Sequence, residues 1–351
     1  MTVLGIIWFC LIFVLIAGYF ILDGFDLGAG VLSPFVAKND EEKAIVRQSI
    51  GPVWDGNEVW LLTAGGALFA AFAPAYATTF SGFYLAIILV LLGLIVRAIA
   101  LEFAGHDRAW RKLWNALFFI GSLLPALLFG VAVGNVYAGI PMDANGDYAG
   151  VPLLGLVTPF TLLTGLLGLG MFLSQGATWL ALKAPKPSAI QARAARMRLP
   201  LQVATLVLFA AVSVYGHFVI HPAMAPELEF VRYAFAILFL VALVASMVIG
   251  RKGECDLKPF VLSSVAAAML VGLWASSMFP NLVVAGAGDP FSFFATAAQG
   301  ANITIATAAS SDLALGWMLG ITCIGLPLVL IYHFIIYRTF RGRVKVEDLE
   351  Y

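Results

Sequence analysis

The stretch GPVWDGNEVWLLTAGGALFAAFA, residues 51–73, decides how this chain folds. It is mostly apolar, yet Asp55 and Glu58 stand in its first turns, and Trp54 and Trp60 flank them. Side chains three positions apart on a helix lie on the same side, so we expect both acids to share one face. An ionisable group inside a membrane helix costs about 2.5 kcal/mol or more, so such groups usually face the protein interior and have a function.

A second acidic pair has the same spacing. Asp23 and Asp26 lie in the segment DGFDLG, near the end of the preceding apolar run. If the two runs are consecutive membrane helices, all four carboxylates lie at a similar depth toward the cytoplasmic side. Like charges crowded at low dielectric resist simultaneous ionisation, which lets them bind and release protons near neutral pH. The sequence therefore predicts a proton-conducting entry formed by Asp23, Asp26, Asp55 and Glu58.

A structural role for these acids is the alternative. Asp23 and Asp26 would then bind loop backbone, and Asp55 would accept from the free N–H groups at a helix start. Arg97, in the third apolar run, is the candidate counter-ion for the acids. A salt bridge from Arg97 to Glu102 at the membrane boundary is the competing interpretation.

The composition is typical of an integral membrane protein. The chain has 351 residues, of which 62% are hydrophobic and 11% charged, with a net charge of zero; soluble domains carry about 25% charged residues. A zero net charge argues against a nucleic-acid partner. A span needs about 20 apolar residues, and we predict an all-α, single transmembrane domain over 1–351 with nine spans, approximately 3–32, 51–73, 79–101, 114–138, 154–181, 201–221, 230–250, 259–280 and 313–337.

The loop charges predict the orientation. Every Lys and Arg except Arg232 falls at or after the end of an odd-numbered span, so the positive-inside rule places the N-terminus outside and the C-terminus in the cytoplasm. We expect residues 37–43 to form a charged loop and residues 183–199 to form a basic linker whose arginines meet anionic headgroups. The apolar outer loop 281–312 is expected to fold back over the bundle or over a neighbouring chain.

Histidines and cysteines are few and scattered. His106 lies in a charged turn, His217 and His221 are four apart near an outer helix end, and His333 lies near an inner one. Boundary histidines are the more ordinary interpretation than a surface metal site at the His217–His221 pair. A haem or copper centre needs a defined set of buried ligands, so the sequence indicates neither a metal site nor a redox centre in this chain.

Several motifs resemble subunit II of the cytochrome bd-type quinol oxidases. The similarity runs the length of the chain and is densest up to about residue 136. It is carried by 23–28 (DGFDLG), 54–60 (WDGNEVW), 63–71 (TAGGALFAA), 80–84 (FSGFY), 110–111, 121–135, 175–178 (QGAT) and 278–280 (MFP).

The resemblance implies a heterodimer in a bacterial cytoplasmic membrane. The partner, subunit I, would hold haems b and d and oxidise quinol, while this chain would hold no haem. A small single-span accessory subunit is also implied. Each large subunit would contain two four-helix bundles plus one extra helix. The complex would reduce dioxygen to water with cytoplasmic protons, separating charge without pumping.

The resemblance also implies roles for individual residues. The acid of the WDGN motif, here Asp55, is assigned to a proton route, with Asp23 and Asp26 as the DGFD acids. Trp60 is associated with oxygen access, and a structural quinone or phospholipid is implied near Trp54. Glu58 stands where other members have an amide, which puts the shared polar network in doubt at this position and adds a protonatable group.

Two other classes of function are compatible with the sequence. A proton-coupled secondary transporter would also use intramembrane acids, and it would be active without a haem-bearing partner. A purely structural scaffold would tolerate exchange of each acid for an amide. Co-purification with a haem-bearing chain separates the oxidase subunit from the transporter.

Overall fold

The fold is organised around a long, buried first helix. A computed structural model describes residues 1–107, 109–220, 225–253, 255–294 and 299–348. Helix α1, Val3–Val36, begins at Thr2, whose hydroxyl accepts from Gly5 N at 3.1 Å. Its 34 residues span about 50 Å, more than the roughly 30 Å of a hydrocarbon core. Helices α3, α6, α7 and α10 all pack against it.

Small residues allow α1 and α7 to cross closely. A Cβ on Gly28 would lie 1.9 Å from the Phe172 carbonyl oxygen, and one on Gly176 would lie 2.4 Å from the Gly28 carbonyl carbon. The two backbones are therefore in direct contact, as is common where membrane helices pack through small residues. This contact leaves the acidic side of α1 facing α3 and α5.

The remaining elements follow in chain order. They are α2 Asp40–Ile50, α3 Trp54–Ala71, α4 Ala73–Gly82, α5 Tyr84–His106, α6 Arg111–Ala138, α7 Pro159–Lys183, α8 Ala189–Tyr215 with a π-helical end Gly216–Ile220, α9 Glu229–Lys252, α10 Leu257–Met278, β1 Asn281–Val283, β2 Ile303–Thr304, α11 Ile305–Ala308 and α12 Asp312–Thr339.

Eight helices of the described residues are long and apolar enough to cross a membrane, namely α1, α5, α6, α7, α8, α9, α10 and α12. The chain is therefore a multi-pass membrane protein. The predicted span 51–73 corresponds to α3, which is not among the eight. Its first turns contain Asp55, Asn57 and Glu58, and these polar side chains lower its mean hydropathy.

One predicted loop and one predicted span differ from the structure. The charged segment 37–43 contributes to α2, which begins at Asn39 with its side chain accepting from Glu42 N at 2.8 Å. Acids in its first turn and Arg47 in its last complement the helix dipole. The third predicted span, 79–101, is divided between α4 and α5, which are separated at Phe83. A further break, at buried Phe72, separates α4 from α3. A search for 20 apolar residues does not detect such short helices.

The predicted basic linker 183–199 is also wrong in extent and partners. Helix α8 begins at Ala189, capped by Ser188. Arg193 pairs with Glu42 at 2.5 Å and Arg198 with Asp256 at 3.1 Å. Both arginines therefore bind carboxylates of this chain rather than lipid headgroups.

The outer loop 281–312 folds back as predicted. β1 and β2 form a two-stranded antiparallel sheet, a departure from a purely helical fold. Ile303, Ile305 and Ala308 are buried in the outer core cluster, and Ile305 contacts Gly5 at the start of α1. Ser311 caps α12 by accepting from Ala314 N at 3.3 Å.

Candidate functional site

An arginine joins acids from two helices in the middle of the bundle. Asp23 on α1 and Arg97 on α5 are both fully buried. One nitrogen of Arg97, Nη2, donates to Asp23 Oδ1 and to Glu58 Oε1, each at 2.8 Å. Charge-assisted bonds of this length are the strong ones, and they are needed to offset the desolvation of a buried guanidinium.

Asp26 is held by an amide rather than by a cation. Asn57 Nδ2 donates to Asp26 Oδ2 at 2.7 Å and to the Leu22 carbonyl oxygen at 3.1 Å. Tyr337 of α12 donates to Asn57 Oδ1 at 3.0 Å. Because the hydroxyl needs the amide oxygen as acceptor, it keeps the amide nitrogen turned toward Asp26. The loop-backbone role considered for Asp23 and Asp26 does not match these side-chain partners.

Several buried polar atoms in and beside this group of side chains have no hydrogen-bond partner among the described residues. They are Tyr19 Oη, Asp23 Oδ2, Asp26 Oδ1, Arg97 Nε, Arg97 Nη1 and Gln175 Oε1. Buried polar atoms generally form hydrogen bonds, and where no protein group is available the partner is an ordered water molecule. We name the set Asp23, Asp26, Asn57, Glu58 and Arg97 the acid cluster.

Asp55 lies outside the acid cluster. It is exposed, whereas Glu58 turns inward to Arg97 with 24% of its side chain exposed. Three helical steps leave the two side chains about 60° apart around the axis, so both lie on one side of α3. They differ in that Glu58 bonds to Arg97, whereas Asp55 is exposed. No side-chain capping bond forms at the start of α3. The exposed neighbours of Asp55 on α3 include apolar Val59 and Leu62.

The two tryptophans differ in their surroundings. Trp60 is buried and packs against Gly18 of α1, and its Nε1 donates to His333 Nε2 at 3.2 Å. His333 Nδ1 lies 2.9 Å from the Val329 carbonyl oxygen. Both ring nitrogens are thus bonded, and we assign the proton to Nδ1. Trp54 is partly exposed.

His333 lies in the last two turns of α12, as predicted, and its side chain is buried and faces α3. The four-residue spacing of Val329, His333 and Tyr337 was an available signal for one inward face. No group of three or more His, Cys, Asp or Glu that could hold a metal ion occurs within the described ranges. His221, and with it the His217–His221 pair, lies outside those ranges, as does Arg108.

A cavity of about 610 Å³ lies between α6, α7, α8, α9 and α10. The sequence did not indicate it, and Trp54 does not line it. Its walls are mainly apolar and aromatic, and His217, Glu229 and Arg232 contribute polar groups. The lining also includes Trp274, whose Nε1 has no partner among the described residues. A space of this size and lining suits an amphipathic molecule.

Comparison with known proteins identifies a family. Residues 4–340 match the family described as cytochrome bd terminal oxidase subunit II. Cytochrome bd-I ubiquinol oxidase subunit 2 of Escherichia coli (strain K12) is 36% identical over 372 aligned positions, covering 99% of this chain and 97% of the relative. Cytochrome bd ubiquinol oxidase subunit 2 of Bacillus subtilis (strain 168) is 32% identical over 345 positions, covering 97% of each.

A solved structure agrees on the fold. A chain in the structure of bd oxidase from Geobacillus thermodenitrificans superimposes with a TM-score of 0.74 over 97% of this chain and 99% of its own length. At 16% identity it bears on the fold alone. From the family match and the relatives above 30% identity, this chain belongs to the cytochrome bd terminal oxidase subunit II family and is subunit II of a quinol oxidase.

Proposed function

We propose that this subunit carries protons from the cytoplasm toward the oxygen-reducing centre of its partner. Asp55 receives them at the subunit surface, and the acid cluster relays them through Asp23, Asp26 and Glu58. The observation that carries the proposal is a largely buried cluster with three carboxylates and one cation. Two of its carboxylate oxygens, Asp23 Oδ2 and Asp26 Oδ1, have no hydrogen-bond partner among the described residues. An acid surplus of this kind favours sharing of protons among the three.

The exposed carboxylate of Asp55 supports an entry at the contact between this chain and a second one. A carboxylate on an otherwise apolar helix face is costly against lipid, and a protein partner removes that cost. We therefore assign this face of α3 to the haem-bearing subunit I. The heterodimer, a small single-span accessory subunit and a location in the bacterial cytoplasmic membrane are parts of the same proposal.

The haem-free assignment is supported by the bonding of His333. Its two ring nitrogens are engaged by Trp60 and by the Val329 carbonyl, so it is not offered to iron. We propose that haems b and d reside in subunit I, and that charge separation rather than pumping generates the gradient. Trp60, buried beside Gly18, is proposed to border the oxygen path.

The membrane topology is proposed from the number of spans and the positions of the basic residues. Counting α3 with the eight apolar helices makes nine spans, and the basic loop ends then fall on one side, with the N-terminus outside and the C-terminus in the cytoplasm. Two four-helix bundles plus one helix accommodate them. The quinone or phospholipid implied near Trp54 is better suited to the cavity between α6 and α10, because that space is large and mainly apolar.

The test is Asp55→Asn in the complete complex. If Asp55 admits protons, turnover falls by about 100-fold, the lower range of general acid–base contributions, while the haem spectrum is retained. The measurement is oxygen consumption with quinol, and Asp312→Asn at the start of α12 is the matched control. Unchanged turnover removes the proton route, and loss of haem supports a structural role.

A further inference from the structure

Helix α12 is held to the bundle at few points. Of its 28 residues, Leu315 and His333 are buried. Its outer end is anchored by Trp8, whose Nε1 donates to the Leu315 carbonyl oxygen at 3.0 Å. Its inner half supplies His333 and Tyr337 to α3. With so little buried surface, contacts beyond the helix end contribute strongly to its position.

Such contacts are made by residues 340–344, which we name the strap. The strap runs across the inner end of α7. Val344 N donates to the Lys183 carbonyl oxygen at 2.8 Å. Lys183 Nζ in turn donates to the carbonyl oxygens of Phe340 and Gly342. These reciprocal bonds fix the strap backbone to α7.

Arg343 provides the most extensive of the strap contacts. Its Nη1 donates to the carbonyl oxygens of Ala181 at 3.0 Å and Ala184 at 2.6 Å, at the end of α7. Its Nη2 donates to Asp256 Oδ2 at 2.9 Å. A cation bonded to the last carbonyls of a helix also complements the helix dipole. One side chain thus ties the strap to α7 and to the turn before α10.

Asp256 is the residue on which these contacts converge. It is 5% exposed, and besides Arg343 it faces Arg198 of α8 at 3.1 Å and Lys186 of the α7–α8 turn at 3.6 Å. One buried carboxylate therefore gathers cations from three segments. Charge-assisted bonds of this kind are the strong ones, so the carboxylate holds these cations close to one another.

The strap and the acid cluster are connected through one helical turn. Phe340 N donates to the Ile336 carbonyl oxygen at 3.0 Å, so the strap continues from the turn that holds Tyr337. We propose that Arg343 and Tyr337 are positioning residues for the proton route: the strap, docked on Asp256, holds the Tyr337 hydroxyl on Asn57 and thereby keeps the Asn57 amide on Asp26. This inference rests on the proposed proton role of Asp26.

The experiment combines two measurements on the complete complex. Amide hydrogen exchange in residues 328–339 reports whether the strap holds α12, and oxygen consumption reports turnover. The variants are Arg343→Gln, Tyr337→Phe and their combination. Arg341→Gln, an exposed cation two positions away, is the matched control.

Arg343→Gln is expected to speed exchange in 328–339, and Arg341→Gln is not. Each of Arg343→Gln and Tyr337→Phe lowers turnover by about fivefold, the effect of one neutral hydrogen bond, with an increased solvent deuterium isotope effect and unchanged KM for quinol. Because both act through the same bond to Asn57, the combined variant is no slower than Tyr337→Phe. The proposal is overturned if the turnover of the combined variant falls by the product of the two single losses. It is also overturned if amide exchange in Arg343→Gln is unchanged.

Two further outcomes distinguish the role of the strap from the proposed proton route. If exchange rises in Arg343→Gln while Tyr337→Phe and Asp26→Asn both leave turnover unchanged, the strap holds α12 but the proton route and the positioning role both fail. If Arg343→Gln does not assemble, Arg343→Lys takes its place, since it keeps a cation for Asp256 but cannot serve both α7 carbonyls. Faster exchange in that variant supports the strap, and wild-type exchange contradicts it.

Discussion

Two clusters in this molecule bury a carboxylate against an arginine, and they differ in which charge is in excess. The acid cluster contains three carboxylates and one cation, Arg97, which bonds two of them. Several of its atoms have no hydrogen-bond partner within the part of the chain that the structure describes. Near the strap, Asp256 is one carboxylate that pairs with three cations, Arg198, Arg343 and Lys186. An excess of acids leaves sites for protons, whereas an excess of cations around one acid forms a firm anchor. Burial of charge alone therefore does not indicate which role a cluster has.

The largest effect is expected from removing the cation of the acid cluster. Arg97→Leu leaves Asp23 and Glu58 buried without a counter-charge, which costs about 3–5 kcal/mol. We expect strongly reduced recovery of the haem-containing complex, and Arg97→Lys should recover part of it. Measurement of haem per mole of complex, with thermal unfolding, tests this. Normal assembly of Arg97→Leu would mean that the acids are already neutral and that the two clusters differ less than proposed.

A smaller effect is expected at the other cluster. Asp256→Asn removes a buried anion that pairs with three cations, two of which have partly exposed side chains. Because solvent can then receive Lys186 and Arg343, the cost is about 1–3 kcal/mol. The melting temperature of the complex should fall while its haem content is retained. Glu347→Gln, an exposed acid in the C-terminal tail, is the control, and equal melting temperatures for both variants would contradict the anchor.

The smallest effect is expected at a partly exposed ion pair that joins α2 to α6. Arg111 donates to Asp40 at 2.9 Å and lowers the pKa of that carboxyl from its usual value. A lowered pKa in the folded state means that the stabilisation is present above the unfolded pKa and is lost as the pH falls through the folded value. Since half of the Asp40 side chain is exposed, Asp40→Asn should cost about 0.5 kcal/mol or less.

The measurement for this pair is thermal unfolding of the complex at neutral and at acidic pH. The difference between wild type and Asp40→Asn should shrink on acidification, because the wild-type carboxyl is then also neutral. A difference that grows on acidification would show that the pair does not act through its charge. It would leave both buried clusters unaffected.

Sequence by itself determined the membrane class, most of the long apolar helices and four members of the acid cluster, namely Asp23, Asp26, Glu58 and Arg97. It missed Asn57 and grouped Asp55 with these residues. Runs of about 20 apolar residues are readable because lipid leaves a helix few alternatives. Acids within such runs are conspicuous because burying them is costly. The same criterion failed at α2 and α4, which are too short to be seen as spans.

Tertiary structure alone decided who pairs with whom. Arg97 and Asp23 are 74 positions apart, and Tyr337 and Asn57 are 280 apart, so no local pattern links them. The same holds for the inward turn of Glu58 away from Asp55, for the strap on Asp256 and for the cavity between α6 and α10. Helix periodicity shows which side chains share a face, but only the packing of the helices decides what that face meets.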